Sequence, residues 1–164
     1  TQIIKSMIKS YKRKIIKRQP RERQYNFLKY WRVVKYYIKR KYNISSMELD
    51  MLLYLYDQPY FRKEDFNYYG NTMSWDKRSF YEKVKKDLIK EWRPGGEKYA
   101  RAKIWELTHK AKTICLLTYK KLMNDEPISE EPRSNPIFKK ASYADKIYKK
   151  VIEKMNASNL HSDI

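Results

Sequence analysis

Residues 74–111 read SWDKRSFYEKVKKDLIKEWRPGGEKYARAKIWELTHKA, a pattern of helix, strand, turn, strand and helix. Ser74 is a cap candidate, and Asp76 falls in the opening turn, where the positive end of a helix favours a carboxylate. Phe80, Val84 and Leu88 recur at i, i+4 and i+8, so the spacing predicts a helix over 76–88 with an apolar stripe. Lys77, Arg78, Tyr81 and Lys85 fall on its opposite face. Pro94-Gly95-Gly96 is the strongest breaker in the chain. It separates the runs 89–93 and 103–107, and in the second Ile104, Trp105, Glu106 and Leu107 alternate as a strand would. Thr108 is placed to cap the helix that follows.

A basic helix followed by a two-stranded basic ribbon is the plan of a winged helix-turn-helix. The run Arg101-Ala102-Lys103-Ile104-Trp105-Glu106-Leu107-Thr108-His109-Lys110-Ala111 resembles the wing-to-helix signature of MarR-type winged-helix regulators. There, a wing arginine and a small residue precede a strand ending in Leu-Thr. The resemblance extends upstream through Ile44-Ser45-Ser46 and Asp65-Phe66, and downstream to Glu126-Pro127-Ile128. Two positions depart from the pattern: Tyr99 stands where an aspartate is usual, and Ala111 where a glycine is usual. The resemblance implies a mainly α fold with a small β-wing, a winged helix-turn-helix domain flanked by N- and C-terminal helices. It also implies a first helix that belongs to a dimer interface.

Composition allows one domain with extensions in 164 residues. Hydrophobic residues make up 41% and aromatics 15%, too many core-forming side chains for a chain disordered throughout. The formal charge is +19, with 38 basic residues facing 19 acidic ones. An AT-rich coding style would explain abundant lysine, isoleucine, tyrosine and asparagine, but not this imbalance. Charge of this size attracts a polyanion, and nucleic acid is the expected partner. Cys115 is the single cysteine, so an intramolecular disulfide is excluded and a reducing compartment is consistent. Its apolar neighbours predict a small buried residue. With only His109 and His161 beside it, no zinc-ligand spacing exists. No apolar run has transmembrane length, and the basic N-terminus lacks the apolar core of a signal peptide.

Along the chain, residues 1–20 form a basic amphipathic extension, with Ile3, Ile4, Met7, Ile8, Tyr11 and Ile15 at helical spacing. It is read as packing on the domain or a second subunit, as a DNA-binding arm, or as a membrane-surface helix. Gln19-Pro20 breaks it. Residues 21–123 form the domain proper, opening with a long helix over 21–42. Tyr25, Leu28, Trp31 or Arg32, Lys35 or Tyr36, and Ile38 pass along one side of that helix. Its aromatics exceed what one face buries, which suggests burial on two sides or stacking on bases. Ser45 and Glu48 form a capping box, and Met47, Met51, Leu52 and Leu55 give the following helix a core stripe. Asp57-Gln58-Pro59 ends it. A helix over 63–69 with Phe66 inward is followed by an expected turn at Gly70-Asn71. Thr108 to Met123 is the next helix, with Ile114, Leu117 and Leu122 apolar. Residues 124–136, acidic and proline-rich, read as a linker. A C-terminal helix over 137–156 carries Tyr143, Ile147, Val151 and Met155 four apart, and 157–164 is a polar tail.

No nucleophile–base pairing, phosphate loop or metal constellation emerges, so the reading is of a protein that is not an enzyme and needs no cofactor or metal. The expected DNA-binding residues are Ser74, Lys77, Arg78, Ser79, Tyr81 and Lys85 in the recognition helix, and Lys98, Arg101 and Lys103 in the wing (92–103). Arg78 is the candidate for a bidentate guanine contact, because its planar fork matches two acceptors. The serines would donate to phosphate, and the wing cations would reach an adjacent minor groove. The function expected is that of a dimeric MarR-like transcription regulator on double-stranded DNA. The alternative is a viral or accessory DNA-binding protein for packaging, replication or genome coating. The homodimer would form through the terminal helices, no membrane partner is expected, and no residue pattern assigns a small-molecule effector. The location would be cytoplasmic and nucleoid-associated, or the host-cell cytoplasm or virion if the protein is viral.

Overall fold

A computed structural model describes residues 28–139 and 142–159. Residues 1–20, the 21–27 part of the expected first helix and the tail from 160 onward lie outside the described residues. The elements run α1 (Leu28–Tyr42), α2 (Ser46–Tyr56), α3 (Lys63–Met73), a 3-10 turn (Lys77–Ser79) continuing into α4 (Phe80–Lys85), and β1 (Ile89–Arg93). A second 3-10 turn (Glu97–Tyr99), β2 (Ile104–Leu107), α5 (His109–Leu122), α6 (Pro136–Lys139) and α7 (Tyr143–Asn159) follow. The described chain is mainly helical, with one small two-stranded antiparallel sheet.

Local chemistry sets several of these boundaries. The Ser45 hydroxyl accepts from the Glu48 N–H at 3.1 Å, while the Glu48 carboxylate accepts from the Ser45 N–H at 2.8 Å, which satisfies two orphan donors of α2. Asp57 closes that helix. Leu49, Met51, Leu52 and Leu55 are buried, whereas Met47, expected in the same stripe, is exposed at the first turn. In α1 the buried residues are Val33, Val34, Tyr37 and Ile38; Leu28, expected on that side, is exposed. Among its neighbours α1 packs most extensively against α5, and Val33 and Val34 are buried.

The turn expected at Gly70-Asn71 does not occur; α3 runs on through both residues. Gly70 is required there because Trp75 folds back on it: a Cβ at residue 70 would lie 2.7 Å from the indole Nε1. That indole N–H donates to the Phe66 carbonyl at 3.2 Å. The chain turns instead at Ser74, in the left-handed region at φ 58°. Ser74 therefore ends α3 and does not cap the next element. The cap is Asp76, whose Oδ1 accepts from the Arg78 N–H at 2.9 Å. The helix expected over 76–88 is correspondingly short, the 3-10 turn plus α4, and the left-handed Asp87 (φ 58°) stops it. Phe80 and Leu88 are buried and Val84 half-buried.

The hairpin pairs Ile89 with Leu107, Lys90 with Glu106, Glu91 with Trp105 and Arg93 with Ile104, so Trp92 is a bulge. The second strand begins at Ile104, one residue later than expected. Gly95 brings the two arms of the loop together, since a Cβ there would lie 2.1 Å from the Lys103 nitrogen. On the other edge of β2, Phe61 exchanges two backbone bonds with Trp105, at 3.0 and 2.8 Å. Phe66, Phe80 and Trp105 then meet edge to face, with ring centroids at 4.9 and 5.0 Å, and join α3, α4 and the sheet in one core.

Thr108 caps α5 through the Ala111 N–H at 3.2 Å. Cys115 is buried in that helix as expected, and burial pushes its thiol up to about 12. Residues 124–136 are not a free linker. Ile128 and Asn135 are fully buried, Lys121 donates to the Pro127 carbonyl at 2.7 Å, and Asn156 of α7 donates to the Ile128 carbonyl at 2.9 Å. The prolines shape a packed loop. In α7 the expected stripe is out of phase: Met155 is buried, but Tyr143 is 82% exposed, and Ile147 and Val151 also face outward. Asp145 is drawn inward instead, accepting from Tyr36 Oη at 2.8 Å and from Arg40 Nη2 at 3.4 Å, beside a Tyr36–Tyr148 stack at 4.0 Å. Burial alone would raise that carboxyl, but these bonds and those from Ser142 hold it below the usual carboxylate range.

Candidate nucleic-acid interface

The core position of Phe80 decides which side chains of the 77–85 segment face outward. With its ring held against Phe66 and Trp105, Lys77, Arg78, Tyr81 and Lys85 are all exposed. The Arg78 side chain is 94% exposed, and its ion pair, Nε to Asp76 Oδ1 at 3.4 Å, is a surface contact of little energy. Lys77 donates to the Asn71 side chain. Ser79 is half-buried, and its hydroxyl donates to the Asp76 carbonyl at 2.8 Å. Ser74 is exposed at the end of α3.

Tyr81 comes with a partner that sequence reasoning missed. Lys63, the first residue of α3, places its ammonium 4.5 Å from the Tyr81 ring centroid. The two residues are 18 apart, and no local pattern connects them. Lys83, by contrast, is buried, while Lys86 is paired but still half exposed. Both donate to Oε1 of Glu48, at 2.8 and 2.7 Å. Burial would raise the Glu48 carboxyl, but the bonds from the two lysines and the Ser45 N–H outweigh it and hold it at about 2.

On the hairpin, Lys98 and Arg101 both lie over Tyr99, at 5.6 and 5.4 Å. Arg101 Nε also donates to the Pro94 carbonyl at 3.2 Å, so the guanidinium is folded along the loop. Lys103 pairs with Glu91 at 2.7 Å, and that hydrogen bond raises its ammonium above the ordinary lysine range. It also lies 5.4 Å from Trp105, the ring that abuts Phe80. Of the nine expected residues, Lys103 thus stands between the 77–85 group and the hairpin group.

These side chains offer cationic donors and half-exposed rings, the chemistry that meets phosphates, base edges and base faces. Among the described residues, no group of three or more His, Cys, Asp or Glu side chains is gathered as a metal site. No described helix is long and apolar enough to cross a membrane. Comparison with known protein families, curated proteins and solved structures finds no match to this chain.

Proposed function

We propose that this chain is a winged helix-turn-helix DNA-binding protein, a dimeric transcription regulator similar to the MarR type. The observation that carries the reading is the pair of backbone hydrogen bonds between Phe61 and Trp105. It adds the segment between α2 and α3 to the edge of β2, which yields the order helix, edge strand, helix, turn, helix and hairpin. That order is the plan of a winged helix-turn-helix, with α3 as its first helix, 77–85 as the recognition segment and the β1–β2 loop as the wing.

The charge supports the same reading. The chain carries +19, and among the described residues no acidic side chain forms an ion pair with Lys77, Lys85, Lys98 or Arg101. The recognition segment is short, about 15 Å of 3-10 turn and helix. It spans enough of a major groove for Arg78 and one or two neighbours to reach base edges. The wing cations would then supply phosphate or minor-groove contacts beside it.

Salt dependence and footprinting test this reading together. Each phosphate neutralised contributes roughly −0.9 to the log–log salt slope on duplex DNA, so a dimer with about eight contacts shows a slope near −7. A slope shallower than about −2 means the positive charge is not directed at nucleic acid. Discrete palindromic footprints on genomic DNA identify a regulator; uniform coverage identifies an accessory or viral coating protein instead.

A further inference from the structure

The exposed rings around the hairpin fall into two kinds. Tyr81 has Lys63 over its face, and Tyr99 has Lys98 and Arg101 over its own. Tyr60 and Trp92 differ: among the described residues, no lysine or arginine lies over either ring. They contact each other instead, with ring centroids 4.4 Å apart and planes tilted by 43°. Tilted this way they do not cover each other face to face, and they remain 49% and 47% exposed.

The backbone creates this pair. Phe61 turns into the core, so Tyr60 before it points to the other side. Trp92 is the extra residue of the β1 bulge, without a partner in the register, and a bulge re-aims its side chain. The indole, touched by Tyr60 and still half in water, presents a large apolar surface. Along the chain, Tyr60 precedes Lys63, the partner of Tyr81, by three residues, and Trp92 runs directly into the loop bearing Lys98 and Arg101.

Charge selects the occupant. The two acids of the hairpin strands are already held: Glu91 by Lys103, and Glu106 by Lys90 and Lys112 at 3.2 and 3.3 Å. With these two acids neutralised on a chain of net charge +19, the rings suit a polyanion with flat apolar faces. We propose that the Tyr60–Trp92 pair is a stacking platform for an unpaired nucleobase, so that the protein engages junctions between duplex and single-stranded nucleic acid. This rests on the duplex-binding reading above, and it adds a preference that duplex binding alone does not produce. Stacking on aromatic rings is tolerant of base identity, because every base has a π-face.

Fluorescence anisotropy tests it with three probes: a blunt duplex, the same duplex with an oligothymidylate tail of about ten nucleotides, and the free oligothymidylate. The wild-type chain is expected to bind the tailed duplex about tenfold more tightly than the blunt one, the effect of one or two stacked bases. Trp92→Ala and Tyr60→Ala abolish that preference while blunt-duplex affinity stays unchanged, and Trp92→Phe retains most of it. Circular dichroism checks folding, and Tyr60→Ser serves if Trp92→Ala does not fold.

Equal wild-type affinity for tailed and blunt duplexes overturns the platform and leaves duplex binding standing. So does a preference that survives Trp92→Ala. If Trp92→Ala instead lowers the solution mass, the pair is a protein–protein contact, and the proposal falls. Absence of duplex binding with Trp92-dependent oligothymidylate binding overturns the regulator but supports the platform; binding of no probe overturns both.

Discussion

Lys83 Nζ lies 2.8 Å from Oε1 of Glu48, a residue 35 positions earlier, and only 11% of the lysine side chain is exposed. The same carboxylate caps the start of α2 through the Ser45 N–H and accepts a third bond from Lys86. One side chain thus ties the α2 N-terminus to α4, the segment proposed to read DNA. A buried charge held by several bonds costs far more to orphan than it contributes as a pair.

Glu48→Ala should therefore destabilise the fold by about 3 kcal/mol, because it strands the Lys83 ammonium and removes half of a capping box. Replacing both partners, Glu48→Met with Lys83→Met, should cost clearly less than Glu48→Ala, since no buried charge is left unpaired. Urea unfolding of the three proteins measures this. A loss under about 1 kcal/mol for Glu48→Ala would mean the bridge holds little.

The same carboxylate makes stability depend on acid. Its folded value of about 2 lies below the ordinary 4.5, so the stabilisation is complete above 4.5 and disappears as pH falls towards about 2. The size of the term is about 3 kcal/mol at neutral pH. The stability difference between the wild type and Glu48→Gln should shrink across that window. A difference independent of pH between 5 and 2 would contradict it.

Much of this frame was legible locally. Ser45 with Glu48, Thr108 before α5, and Pro94-Gly95-Gly96 between the strands each act over three or four residues, and each lies where its chemistry requires. The misreadings arise where a partner beyond the local helical period decides. Ser74 is the expected cap with Asp76 a first-turn acid, but Trp75 folds back on Gly70, α3 runs on to Met73, and the cap is Asp76. Tyr143, Ile147 and Val151 have ideal core spacing, yet Tyr36 and Arg40 draw the polar Asp145 inward and rotate that stripe outward. Within the candidate site, the exposure of Lys77, Arg78, Tyr81 and Lys85 followed from the Phe80 period. The loss of Lys83 to Glu48 and the placing of Lys63 on Tyr81 carried no local signal.

Arg78 and Arg101 separate the two halves of the proposed DNA contact. Arg78→Ala should lose roughly 1–3 kcal/mol on a preferred sequence and little on a scrambled one, as a base contact would. Arg101→Ala should weaken both duplexes, or alter only A·T-rich flanks. Both variants should fold, since neither side chain lies in the core. Equal losses on both duplexes for Arg78→Ala would favour the coating protein.

The outward stripe of α7 predicts self-association. Tyr143, Ile147 and Val151 lie one turn apart on the exposed side, and a two-fold pairing through them would present two recognition segments about one DNA turn apart. Light scattering should give twice 20.2 kDa. Ile147→Glu with Val151→Glu should return the mass to the single-chain value without loss of helix. A wild-type protein that stays monomeric at tens of micromolar would refute the dimer.

The contact between Gly70 and the Trp75 indole also has an evolutionary consequence. Any side chain at 70 collides with the ring, and any smaller residue at 75 leaves a hole and removes the indole bond to the Phe66 carbonyl. Neither position drifts alone. Descendants of this sequence would be expected to keep both residues or to replace them in order, 75 shrinking before 70 grows. The spacing between α3 and the segment proposed to read DNA would then be inherited as a linked pair of substitutions.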